Sequence, residues 1–201
     1  MKARIKDIAG IQIGYQFRKG MLAHPNGTHC VIQARDIDEQ RNHRLRTADL
    51  ERTTPKTDPS RYLLRNGDVL FLSKGRRNSA TLVEGLAEER DTIAAGHFFI
   101  VRPDTDRVRP DYLAWAINAS KSKAYLQNVA RGSGMPFVAK DAFENMSIDL
   151  PNLETQYRIV KLHRLAARES RLLEELRHKR SELIEGICTN AARVTGQPAK
   201  E

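Results

Sequence analysis

From Glu154 to about Asn190 the chain contains no proline, and its only glycine, Gly186, falls near the end. Within that stretch Ile159, Leu162, Ala166, Glu169, Leu173, Leu176, Arg180, Leu183 and Ile187 alternate steps of three and four, the a/d spacing of a coiled coil. Seven of these nine positions are apolar. A lone helix with so narrow a stripe has little of its own to bury the stripe against, so the pattern predicts a partner helix. Domains usually run to about 100–200 residues, so the rest of this 201-residue chain has room for one globular core.

The two charged seam positions speak to orientation. If two copies cross antiparallel about a point between Glu174 and Glu175, Glu169 meets Arg180, Leu173 meets Leu176, Ala166 meets Leu183 and Leu162 meets Ile187. Both polar interruptions then face opposite charge. A parallel homodimer sets Glu169 against Glu169 and Arg180 against Arg180, which costs stability. Any heptad set is symmetric about such a point, so only these two charges select the antiparallel form.

The first two thirds of the chain mix short β-branched or aromatic runs with polar loops. Strands are predicted at Thr28 to Ala34, Val69 to Ser73, Thr81 to Glu84, His97 to Val101 and Ser147 to Leu150. Asp111 to Ala130 carries one broad apolar helical face after Pro110, ending at Gly132 and Gly134, and Ala139 to Met146 predicts a further short helix. Trp115 and Tyr125 are expected to anchor the first of these helices in the core. Ile37 to Thr57 is highly charged and reads as a loop or a peripheral excursion. The prediction is an α+β fold: one mixed α/β domain over residues 1–152, a long coiled-coil helix over 153–190, and a frayed tail over 191–201.

The formal net charge is +9 and it is concentrated. Residues 41–77 hold ten Lys or Arg (41, 44, 46, 52, 56, 61, 65, 74, 76, 77) against four acids (49, 51, 58, 68). A polyanion is the natural partner of such a stretch. No apolar run reaches the roughly 18 residues a membrane span needs, and Asp7 interrupts the N-terminus before a signal-peptide core can form, so a cytoplasmic protein is expected. Cys30 and Cys188 are far apart with no second cysteine near either, and both are expected to be small buried residues.

"LRNGDVLFLSKG", "AGHFFIVRPD", "VRPDYLAWAINAS" and "RGSGMPFVAKDAFENMSIDLPNLETQYRIVKLHRLAA", together with the closing heptads, resemble the specificity subunit of type I restriction-modification systems over most of residues 60–190. The most telling parts are Gly67-Asp68 ahead of the apolar run Val69 to Ser73 with Gly75 after it, and Leu150-Pro151 with Glu154, Ile159 and Val160 opening the long helix. "GYQFRKG" and "THCVIQARDID" resemble the first part of a target recognition domain less specifically. The resemblance implies a domain that reads one half of a split DNA sequence, and helices that dock methyltransferase subunits. Typical members carry two recognition domains and two helical regions. No internal repeat is present here, so the chain resembles a half-length form that dimerises to rebuild a two-headed reader.

A helix of about 36 residues is ~54 Å long, comparable to about 16 base-pair steps. Two identical heads imply an interrupted palindrome. On this reading Lys74, Arg76, Arg77 and Asn78 contact DNA, with Arg131, Ser133 and Lys140 as a second clamp and Arg18, Lys19 and Arg35 as further candidates. The nine heptad positions form the dimer interface. No phosphate-binding Gly-x-x-x-x-Gly-Lys loop, adjacent Pro-Pro or Asp/Glu-x-Lys triplet occurs, and the six histidines show no zinc spacing, so a non-catalytic chain without a metal or cofactor is expected. The resemblance implies S-adenosylmethionine on partner methyltransferase subunits, and ATP and Mg on restriction subunits. Two other readings stay open: a regulatory fragment that binds modification subunits without reading DNA, and a helical ribonuclease using Arg158 and His163.

Overall fold

The fold is taken from a computed structural model, which describes residues 1–17, 20–38, 43–75, 78–87, 89–132 and 134–194, with backbone alone for Arg44, Arg193 and Val194. Two compact units divide it, Met1–Val160 and the remainder from Lys161. The first is built on a four-stranded antiparallel sheet in the order β2 (Ala9–Ile13), β10 (Phe98–Pro103), β7 (Val69–Leu72), β8 (Ala80–Leu82). A second sheet orders β6 (Glu51–Thr53), β3 (His29–Ile32) and β9 (Thr92–Ala94), with β3 antiparallel to β6 and parallel to β9. Two smaller pairs are β1 (Lys2–Arg4) with β11 (Ser147–Asp149), and β4 (Ile37–Asp38) with β5 (Arg44–Leu45).

The near-continuous apolar runs VLFL and FFIV have a simple cause, because successive strand residues point to opposite faces and here both faces are covered. Val69, Phe71, Phe99 and Val101 enter one core beneath the helices; Leu70, Phe98 and Ile100 enter another with Ile32, Ile37, Leu45, Leu64, Val83 and Ala94. In the first core the ring of Phe143 stacks on Phe71 with centroids 4.2 Å apart. The second sheet joins the first where Tyr15 bridges to Ala95 and the Gly14 N–H donates to the Phe98 carbonyl at 2.9 Å. A Cβ on Gly14 would lie 2.4 Å from the Ala95 carbonyl oxygen, so only glycine permits this approach.

Several expectations need correction. The single helix expected over Asp111 to Ala130 is two, α1 (Pro110–Asn118) and α2 (Ser120–Val129), because Ala119 is extended at φ −63°, ψ 149°. At the break, the Asn118 amide caps an edge strand: Oδ1 accepts from the Ala80 N–H (2.9 Å) and Nδ2 donates to the Ala80 carbonyl (2.7 Å). The charged stretch after Ile37 is no plain loop; it supplies β4, β5 and β6, and Ile37, Leu45 and Thr53 are buried. Of the cysteines Cys30 is buried, whereas Cys188 is exposed. It lies on the long C-terminal helix.

That helix, α4 (Leu153–Val194), continues four residues beyond Asn190, and α3 (Lys140–Glu144) precedes β11. Asn152 starts α4, its Oδ1 accepting the Thr155 N–H at 2.9 Å. The first two turns belong to the globular unit: Gln156 is fully buried, Val160 is buried and Ile159 packs partly against the core. Ile159, placed on the heptad seam by its spacing, therefore lies within the first unit.

Candidate nucleic-acid interface

The β7–β8 hairpin closes through Leu72 N–H to the Ser79 carbonyl and Asn78 Nδ2 to the Leu72 carbonyl, both 2.9 Å. One donor of the Asn78 amide is thus engaged in closing the turn. The following residues are stitched into neighbouring loops. Ser73 donates to the His97 carbonyl from both N–H (2.9 Å) and Oγ (2.8 Å). On the other side its own carbonyl accepts the Val138 N–H (2.8 Å), and the Gly75 N–H donates to the Pro136 carbonyl (2.8 Å). Phe137 and Arg131 exchange both backbone hydrogen bonds, at 2.8 and 2.9 Å. Lys74 and Arg131 are thereby brought to either side of Phe137, each bridged to it in antiparallel fashion. Glycine is required at two places in this construction, Gly75 at φ 119° and Gly132 at φ 95°.

A third loop arrives through Gln16, whose Nε2 donates to the Gly96 carbonyl at 3.1 Å. Three segments distant in sequence, around Gln16, Lys74 and Arg131, are thus tied to one another through Gly96, His97 and Phe137. Burial, aided by the charge of Lys74, holds the His97 imidazole below its ordinary pKa and so favours the neutral ring.

The candidates differ in how free their charges are. Among the described residues neither Lys74 nor Arg131 is paired with a carboxylate, and both are exposed. Lys140 is held by Glu144 one turn along α3, and Arg35 by Glu51 across to β6. Arg35 consequently belongs to the second sheet and not to the loop cluster. Arg18, Lys19, Arg76, Arg77 and Ser133 lie outside the described residues. Sequence reasoning passed over Met135 and Phe137, which are exposed at 70 % and 40 % inside the cluster. Their signal was an apolar Met-Pro-Phe run directly after a Gly-rich turn.

On α4 the seam residues Leu162, Leu173, Leu176, Leu183 and Ile187 are each between 59 and 70 % exposed. Leu165, Leu172 and Ile184 are exposed beside them, so the stripe is broader than strict a/d spacing. Ala166, Glu169 and Arg180 are exposed on the same helix. Arg158 is bonded to Glu154, and His163 lies five residues further on, about 140° around the axis at 3.6 residues per turn. No grouping of His, Cys, Asp and Glu suited to a metal ion occurs among the described residues, and no described helix is long and apolar enough to cross a membrane.

Comparison with known proteins places this architecture. A family model described as the type I restriction modification DNA specificity domain matches residues 1–178. The S subunit of a type I restriction-modification system from M. genitalium aligns at 12 % identity with a TM-score of 0.54, over 81 % of this chain and 37 % of that one. The HsdS subunit from Thermoanaerobacter tengcongensis aligns at 16 % identity and TM-score 0.61, over 87 % of this chain and 39 % of that one. A structure from work on complex assembly and conformational transition of the type I R-M system aligns at 15 % identity and TM-score 0.69, over 93 % and 43 %. The chain thus spans about two fifths of the length of these solved relatives. No curated protein sequence matches it significantly.

Proposed function

The chain belongs to the type I restriction modification DNA specificity domain family, and on that premise we propose that it is a sequence-reading unit that works as an antiparallel dimer on a split DNA site. The globular unit reads a short half-site through the loops around Gln16, Lys74 and Arg131. Salt-dependent affinity comes from phosphate contacts, and base choice comes from side chains that reach the grooves. Two copies present two identical readers, the target is an interrupted palindrome, and the length of the paired helices sets the unread gap. The work of this chain is recognition. Methylation belongs to adenine methyltransferase subunits that carry S-adenosylmethionine, and cleavage to restriction subunits that use ATP and Mg.

The observation that carries this reading is the exposed leucine and isoleucine stripe of α4. Monomeric surfaces rarely leave so continuous an apolar strip in water, and a second helix removes it. The extra breadth given by Leu165, Leu172 and Ile184 supports a further helical partner, as docking of a modification subunit requires. Sedimentation equilibrium of the full chain tests the pairing. A dimer is expected; a chain that stays monomeric at micromolar concentration contradicts it.

A further inference from the structure

The loop cluster holds a feature that phosphate binding alone does not explain. Met135 and Phe137 are large apolar side chains facing water at the same tip that carries Lys74 and Arg131, two cations without a carboxylate partner among the described residues. Their exposure is built in. Phe137 is fixed by both backbone hydrogen bonds to Arg131, Pro136 fixes its own φ and accepts from Gly75, and the turn closes tightly at Gly132, where an added Cβ would lie 3.2 Å from the Met135 carbonyl oxygen. Strand-like alternation sends the next side chain, Val138, into the core, which leaves Phe137 on the outer face. These backbone hydrogen bonds thus hold Phe137 on the outer face, beside Lys74 and Arg131.

We propose that Met135 and Phe137 form a wedge that presses into a base step of the bound duplex, while Lys74 and Arg131 hold the phosphates on either side. The occupant follows from the chemistry of the tip. A duplex is a polyanion whose bases and sugars offer apolar surface between the phosphate rows, so it satisfies the cations and covers the ring together. Apolar wedges of Met, Phe and Pro are a known means of loosening stacking and bending DNA. A site so loosened is selected for its deformability as well as for its base edges.

This inference rests on the DNA-reading function, and the test separates the two. Random-sequence duplexes are titrated into the full chain over a series of salt concentrations, with binding followed by fluorescence anisotropy for wild type, Met135→Ser, Phe137→Ser and Lys74→Ala. Wild type is expected to bind with salt-dependent affinity. M135S and F137S should each weaken binding about tenfold without changing the slope of log K against log salt, whereas K74A lowers that slope by about one. A duplex with a single mismatch, whose stacking is already weakened, should bind wild type more tightly than a matched duplex, and M135S should lose that preference. Met135 is the more exposed of the pair, so M135S keeps the test informative should F137S fail to fold. Wild-type binding with M135S and F137S unchanged overturns the wedge alone; no duplex binding by wild type overturns the DNA-reading function with it.

Discussion

Gln156 does more for this fold than its polarity suggests. It is fully buried, its Nε2 donates to the carbonyls of Arg107 (3.0 Å) and Pro151 (2.8 Å), and its Oε1 accepts the Arg109 N–H (2.9 Å). One side chain thereby ties the first turn of α4 to the segment ahead of α1. Gln156→Leu should lower unfolding free energy by about 2–4 kcal/mol, since three backbone groups lose their partner; denaturant titration measures this. Asp68 supplies a pH signature. Its Oδ2 accepts the Arg65 N–H at 3.0 Å and Arg102 Nε lies 3.5 Å from Oδ1, yet burial dominates and raises its pKa above the usual aspartate range. Its contribution to stability is therefore fully present below the unfolded-state pKa and is lost as pH rises through the raised folded value. Asp68→Asn should flatten that decline in stability curves taken from acidic to neutral pH. For the interface, replacing both Lys74 and Arg131 with alanine should reduce the salt slope of duplex binding by about two. The sequence made Lys74 and Arg131 visible as cations beside glycine turns. It could not show their meeting at Phe137, because that depends on pairing between segments more than fifty positions apart.

At the scale of elements, strand existence was readable in β7 and β10, where both faces are buried and the apolar run is long; β9 is buried throughout as well, but its three residues, Thr-Ile-Ala, are too short a run to stand out. Short edge pieces such as β1, β5 and β6 were not, since two or three residues with one buried side chain carry no period. The α1–α2 break escaped periodicity for another reason: both helices keep apolar faces toward the same core, and the bend is set by Asn118 capping Ala80. The long helix was the most legible element, and its pairing can be tested by charge. Glu169→Arg should weaken the proposed dimer in sedimentation experiments, and adding Arg180→Glu should restore it. Absence of rescue contradicts the antiparallel register.

The chain combines a globular unit with three buried clusters and a helical unit with an exposed apolar stripe. On the proposed function, it is the pairing of two copies that would turn a half-site reader into a reader of a split sequence. Selection of bound duplexes from a random-sequence pool by the full chain, with the proposed adenine methyltransferase subunit present, examines this most directly. The account predicts enrichment of one short motif in two inverted copies at a fixed unread spacing. Enrichment of a single uninterrupted motif, or of none, contradicts it.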